Sequence, residues 1–276
     1  MTRAEEIQDN LYGLYASLAA SGLAGAGTVG GFRFIRCADS AWPNMTWSGR
    51  QAADALDMAA LVAGIKELGC PRLLALEEQA LSPGLIAQLQ AARFLPAAQW
   101  VNMFLDLRDA GSGGMAGLGR DDGFGRDAGL RRDASSGREA GSLECRVIDA
   151  RHAAEWQGWS GVVQGVLFKH AELAATLFRS GQDAGLLRLI AGYAEGRLVS
   201  TSLLYSGALA GVYMVATEPE SQGRGYGLQL MHFTASVARE RGYDSLVLHS
   251  TKSGLPLYNR LGFQAQGKLS LFYCMG

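Results

Sequence analysis

Residues Gln222-Gly223-Arg224-Gly225-Tyr226-Gly227 place three glycines and a cation between a strand-like apolar run, Val212 to Thr217, and a helix-like run, Leu228 to Arg241. A helix N-terminus presents unpaired backbone N–H groups and the positive end of the helix dipole, and glycines let a bulky anion approach the main chain. The junction therefore reads as a phosphate cradle, with Arg224 as an added positive charge. A second glycine run, Gly25-Ala26-Gly27-Thr28-Val29-Gly30, has the spacing GxGxxG, but it follows a helical segment and precedes a strand. Pyrophosphate binding by that fingerprint needs the opposite order. A flexible glycine turn is the expectation there.

The elements that would position the cradle are legible on both sides of it. After Leu143, "LECRVID" predicts a strand, Ala150 to Val166 and His170 to Phe178 predict helices, and residues 186 to 217 predict three successive strands. Ala194-Glu195-Gly196 and Ser206-Gly207 supply the turns between those strands. Leu230, Met231, Thr234, Val237 and Ala238 follow the spacing of a buried helical stripe, which Gly242 ends. "SLVLHST" predicts a strand, Leu255 to Leu261 a short helix, and "LSLFYCM" a last strand. In the N-terminal half, Ala4 to Leu18 and Ala52 to Gly69 read as helices, and Phe32 to Cys37 and the run after Pro71 as strands. A further helix, a turn around Phe94 to Pro96 and a final strand complete that half. The expected fold class is α/β (α+β), a mixed sheet with helices on its faces.

Between Asp109 and Ser142 the chain is rich in glycine and mixed in charge, a composition that cannot bury enough apolar surface to offset its ordering entropy. Arg-Asp recurs there at Arg120, Arg126 and Arg132, without the apolar repeat positions a solenoid requires. A linker joining two domains is expected, as is usual for a chain of 276 residues. With 48% hydrophobic and 18% charged residues and a formal net charge of −1, nothing favours nucleic acid or an anionic membrane as partner. Cys37, Cys70, Cys145 and Cys274 form no CxxC or Cys/His cluster, so reduced thiols and no metal are expected. The start "MTRAEEIQDN" lacks the apolar run of a signal peptide, and no stretch reaches 18 consecutive apolar residues, which points to the cytoplasm.

The order strand, Gln-Gly-Arg-Gly-Tyr-Gly, helix resembles the coenzyme A signature Gln/Arg-x-x-Gly-x-Gly/Ala of the GNAT superfamily of N-acetyltransferases, matched by Gln222, Gly225 and Gly227. "TKSGLPLYNRLGF", Thr251 to Phe263, is similar to that family's C-terminal motif, a tyrosine on a short helix followed by Leu-Gly-Phe. The resemblance covers Leu143 to Gly276 and implies a mostly antiparallel mixed sheet flanked by helices. It implies acetyl-CoA as cosubstrate, no metal, direct attack by a primary amine, a small-molecule or peptide acceptor, and a monomer or homodimer. By the same resemblance Val215, Ala216 and Thr217 line the pantetheine arm, with the Val215 N–H facing the developing oxyanion. Gln222, Gly223, Arg224, Gly225, Tyr226 and Gly227 hold the pyrophosphate, and Thr251 and Tyr258 complete the cofactor contacts. Tyr258 protonates the departing thiolate, and His249, which titrates in the useful range, is the candidate base.

"LIAQLQAARFLPAAQWVNMFLDL" is similar to the helix, aromatic turn and strand that close such a domain, with Arg93-Phe94 where Gly-Phe is usual. No pyrophosphate motif precedes it. Residues 1–108 are thus expected to form a degenerate GNAT-like domain, residues 109–142 the linker, and residues 143–276 the acetyltransferase domain. "AWPNMTW", Ala41 to Trp47, is expected either in packing or as aromatic surface of a substrate cleft. Two other readings stand beside the enzyme. One is a non-catalytic acyl-CoA-binding or interaction module; the other, a nucleotide-binding protein, lacks the Gly-Lys-Ser/Thr of a Walker loop.

Overall fold

A computed structural model describes residues 1–49, 55–108 and 141–276. The segment read as a linker and the first residues of the helix expected from Ala52 lie outside the described residues. The chain divides into two compact units that do not follow its order: residues 1–103, 249–255 and 265–276 form the first, and 104–248 and 256–264 the second.

The first unit opens with α1 (Arg3–Ala20), capped reciprocally. Thr2 Oγ1 accepts from the Glu5 N–H and Glu5 Oε2 accepts from the Thr2 N–H. Its buried face, Ile7, Leu11, Leu14 and Leu18, has the three- and four-residue spacing of one helical stripe. There follow β1 (Gly25–Val29), β2 (Phe32–Arg36), β3 (Asn44–Trp47), α2 (Met58–Glu67), β4 (Leu73–Glu77), α3 (Pro83–Ala91) and β5 (Phe94–Asp106). The sheet order is β1-β2-β3-β4-β11-β5, where β11 (Gln264–Cys274) is the last strand of the chain. β3 and β4 run parallel; β1–β2, β2–β3 and β4–β11 are antiparallel. Phe32, Leu61, Leu74, Leu76, Leu85, Leu89 and Phe94 form the core on the α2 and α3 side.

Three expectations are corrected in this unit. The glycine run at 25–30 is not a turn but strand β1, paired residue for residue with β2. Only Gly30 and Gly31 turn, with φ of 54° and 81°, the left-handed pair that a two-residue hairpin demands. A Cβ on Gly27 would lie 2.9 Å from the Phe34 ring, so the glycine there is a packing requirement and not a phosphate site. Helix α2 begins at Met58, because the Asp57 side chain caps it by accepting from the Ala60 N–H at 2.9 Å. The turn placed at Phe94 to Pro96 lies at Arg93, and β5 runs straight through Pro96. The aromatic run at 41–47 packs inside this unit: Trp47 stacks on Tyr12 with ring centroids 5.0 Å apart and meets Tyr15 at 5.5 Å.

The second unit contains β6 (Glu144–Ile148), α4 (Ala153–Leu167), α5 (Ala175–Asp183), β7 (Leu187–Ala194), β8 (Arg197–Ser206), β9 (Ala210–Thr217), α6 (Tyr226–Glu240), most of β10 (Ser245–Ser250) and most of α7 (Leu255–Arg260). Its strands are ordered β10-β9-β8-β7-β6; only β9 and β10 are parallel. The strands of this unit are thus mostly antiparallel and mixed, and they are flanked by α4, α5, α6 and most of α7; the described residues of the two units together hold seven α-helices. The helix expected from His170 starts at Ala175 instead, because Lys169 and His170 adopt φ of 50° and 65° and end α4 in a left-handed turn. The expected stripe of α6 is buried in full. Trp159 anchors the core between α4 and β7, donating its indole N–H to the Ile190 carbonyl at 3.1 Å.

The order three strands, helix, strand, helix, strand occurs twice, from β1 to β5 and from β7 to β11. The bend before the last strand has the same geometry in both: Arg93 at φ 59° before buried Phe94, and Gly262 at φ 86° before buried Phe263. Arginine bears a steric cost in that conformation that glycine does not. Arg93→Gly is therefore expected to stabilise the chain by about 0.5 kcal/mol, the relief of left-handed strain less the added freedom of the unfolded chain. A thermal melt checks this; a lowered Tm would show that the Arg93 side chain contributes more than its backbone costs.

Candidate functional site

The site grows from an irregularity in β9. Its register with β8 slips: Thr201 faces Ala216 and Leu203 faces Tyr213, so Met214 and Val215 oppose the single residue Ser202. This is a β-bulge, and Met214 adopts φ of 50°, a left-handed conformation that a non-glycine residue takes only under constraint. On its other side β9 pairs with β10 only from Ala210 to Val212. From Tyr213 to Thr217 its outer edge has left the parallel ladder, while the Ala216 and Thr217 carbonyls accept from Ser200 Oγ and Gln222 Nε2.

Past Thr217 the chain makes a single 3-10 turn, Pro219–Ser221, and enters the glycine loop. Gly223 and Gly225 take φ of 76° and 77°, and Gly225 is the N-cap of α6. The N–H groups of Gly223, Arg224, Gly225, Tyr226 and Gly227 meet no acceptor among the described residues. Five acceptor-free donors at the positive end of a 15-residue helix fit a diphosphate. The Gln222 side chain instead braces the loop, since its Nε2 donates to the Thr217 carbonyl at 2.9 Å and ties the loop back to β9. The Tyr226 side chain is buried against Gly141. Gln229, one turn on, also holds this segment, donating to the Gly141 carbonyl at 2.7 Å and accepting from the Leu143 N–H at 3.0 Å. A cleft of about 210 Å³ flanks the loop, lined by Arg197, Val199, Ser221, Arg224 and Tyr226.

Helix α7 packs on the first turn of α6: a Cβ on Gly227 would lie 3.3 Å from Leu257 Cδ2 and 3.9 Å from Thr217 Oγ1. The fold thus brings Tyr258, the residue after Leu257, into the same unit as the bulge and the loop. Tyr258 is buried edge-on against Phe263, with ring centroids 5.6 Å apart. Burial raises its phenol pKa above the ordinary value, so the hydroxyl keeps its proton at neutral pH. His249 and Thr251 group with the first unit. The His249 ring lies 6.1 Å from that of Trp100, both ring nitrogens are shielded from solvent, and burial lowers the imidazole pKa to about 4. Thr251 Oγ1 accepts from the Gly254 N–H and lies 3.0 Å from Ser253 Oγ, shaping the turn into α7.

Sequence reading missed the hydroxyl run Ser200-Thr201-Ser202 in β8, of which Ser200 and Thr201 bond carbonyls of β9 at the bulge and Ser202 bonds Thr234 of α6. Its signal was present, since three polar residues interrupt an otherwise apolar central strand. Among the described residues no group of three or more His, Cys, Asp or Glu side chains could hold a metal ion, and no helix is long and apolar enough to cross a membrane.

Residues 177–265, which include the bulge, the glycine loop and Tyr258, match the family described as "Acetyltransferase (GNAT) domain". No curated protein sequence matches the chain. The fold resembles that of a GCN5-related N-acetyltransferase from Kribbella flavida over 100% of this chain and 97% of the other, at TM-score 0.66 and 14% identity. It also resembles a functionally unknown conserved protein from Staphylococcus epidermidis, covering 84% of each chain at TM-score 0.54 and 11% identity. A GCN5-related N-acetyltransferase-like protein from Streptococcus suis aligns over 88% of this chain and 83% of its own, at TM-score 0.51 and 15% identity. Residues 177–265 therefore match a GNAT acetyltransferase domain, and the fold similarity to the Kribbella flavida protein extends through the N-terminal half as well.

Proposed function

We propose that the protein is an acetyl-CoA-dependent N-acyltransferase that moves an acetyl group to a primary amine by direct attack. The observation that supports this most is the bulge in β9 leading into five acceptor-free N–H groups at the start of α6. The first offers main-chain donors to a thioester and its pantetheine arm, and the second takes the diphosphate. The Val215 N–H faces the oxyanion as the amine adds. Tyr258 hands its proton to the departing sulfur. The reading extends to a tandem of GNAT-like domains, residues 1–108 silent and 143–276 active, in a cytoplasmic protein whose acceptor is a small amine or a peptide. Calorimetric titration with acetyl-CoA, followed by thiol release across a panel of primary amines, tests it. Absence of acetyl-CoA binding removes the reading.

His249 is the residue assigned to take the proton from the ammonium form of the acceptor. With its pKa near 4 it is neutral in the physiological range but a weak base. If it fills this role, kcat/KM falls only as the pH approaches 4. A limb several units higher, following the ionisation of the acceptor itself, would assign the deprotonation to solvent. Stability supplies a second measurement. Because the folded pKa lies below the ordinary 6.5, the unfolded chain binds the proton more readily between those values. The His249 contribution is thus complete above about pH 6.5 and is lost as the pH falls toward 4, by up to about 3 kcal/mol. Denaturation of wild type and His249→Phe from pH 7 to pH 4 is expected to show a shallower decline in the variant.

A further inference from the structure

Ser200, Thr201 and Ser202 sit side by side in β8 with no exposed surface. Buried hydroxyls need partners, and theirs are unusual for a central strand. Thr201 Oγ1 donates to the Met214 carbonyl at 3.1 Å and Ser200 Oγ donates to the Ala216 carbonyl at 2.9 Å. Ser200 Oγ also lies 2.9 Å from Thr217 Oγ1; since Ser200 has committed its proton to Ala216, Thr217 is the donor in that pair. By the same reasoning Ser202 donates to Thr234 Oγ1 at 2.7 Å, because Thr234 donates to the Leu230 carbonyl at 2.9 Å.

The consequence for catalysis follows from peptide geometry. The Met214 carbonyl and the Val215 N–H belong to one planar trans peptide unit and point in opposite directions. A hydroxyl that draws the Met214 carbonyl toward β8 turns the Val215 N–H away from it, to the edge where β9 has lost its pairing with β10. In a regular antiparallel ladder backbone donors of β8 would set this orientation, but the bulge removes the register that would let them do so. Met214 is held in its left-handed conformation at the same place.

We propose that Thr201 is a positioning residue for acyl transfer, its hydroxyl fixing the peptide that aims the Val215 N–H at the thioester carbonyl. The proposal rests on the acyltransferase reading above. The test is isotope-edited infrared spectroscopy of [1-13C]acetyl-CoA bound to wild type, Thr201→Val and Thr201→Ser. The bound carbonyl band of wild type is expected below that of free acetyl-CoA, as a hydrogen-bonded carbonyl requires. Thr201→Val, equal in shape but without the donor, moves the band back toward the free position, and Thr201→Ser retains the wild-type band. Affinity for acetyl-CoA stays within about twofold in both variants. With whichever amine wild type acetylates, kcat falls roughly 10- to 100-fold in Thr201→Val and recovers in Thr201→Ser. The band is read only from protein that holds acetyl-CoA, so partial unfolding does not imitate the shift. If Thr201→Val does not fold, Thr201→Cys, a weaker donor of similar size, replaces it with an intermediate band expected. A shifted wild-type band that Thr201→Val leaves unchanged overturns the role of Thr201 while the acyltransferase reading stands. An unshifted wild-type band overturns both the Val215 donor and its positioning. Failure of wild type to bind acetyl-CoA overturns the reading beneath them.

Discussion

Gly225→Glu is expected to weaken acetyl-CoA binding by more than about 100-fold, a loss of roughly 3 kcal/mol, while the protein stays folded. Gly225 is exposed, caps α6, and takes a φ of 77° that glycine adopts without steric cost. A glutamate there sets a carboxylate among the N–H groups of residues 223 to 227, where a diphosphate would otherwise lie, and its like charge opposes the ligand. Its side chain also fills the approach to the main chain. The left-handed backbone costs about 1–2 kcal/mol of stability, a tolerable amount at an exposed helix end. Gly225→Ala carries the same backbone strain without the charge, so the difference between the two variants isolates the electrostatic part. Calorimetric titration and a thermal melt on each provide the measurement. A folded Gly225→Glu protein with wild-type affinity would remove the phosphate role of the loop.

Tyr258→Phe is expected to lower kcat by roughly 10- to 1000-fold with little change in acetyl-CoA affinity or Tm. General acid catalysis is typically worth about 100- to 10,000-fold, and water can recover part of the loss. The ring packs edge-on against Phe263, and phenylalanine preserves that contact. Burial holds the phenol pKa above its usual value, so the donor is fully protonated at neutral pH and no alkaline limb from Tyr258 is expected below that value. The departing thiol has an ordinary pKa of about 8.5, below that of the phenol, so the transfer is uphill at equilibrium; it acts by neutralising the sulfur as the carbon–sulfur bond breaks, and solvent then restores the phenol proton. Lowered stability with unchanged turnover per folded molecule would make Tyr258 a packing residue. Full activity with full stability would mean that water protonates coenzyme A.

Much of the fold was legible because local rules and tertiary demands agree. The stripe on α6, the turn at Glu195-Gly196 and the glycine loop ahead of a helix each declare themselves within a few residues. Where reading failed, a partner distant in sequence decided. Gly25 to Val29 looks like a turn on composition and is a strand because β2 supplies its ladder and the Phe34 ring occupies the place of a side chain on Gly27. The helix expected from His170 lost its first turn to two left-handed residues that no propensity would favour. Tyr226 lies inside the signature, yet its side chain serves the packing against Gly141.

The sequence by itself determined the class of fold and the glycine loop ahead of α6, since hydrophobic period and turn chemistry act over a handful of neighbours. Tertiary structure alone decided the slip of register that leaves Met214 and Val215 opposite Ser202, and the row of hydroxyls that holds the carbonyls of Met214 and Ala216. It also decided that β11, last in the chain, completes the first unit beside β4. Strand pairing is set by long-range hydrogen bonds whose partners cannot be inferred from either strand on its own, and a bulge is a property of the pair.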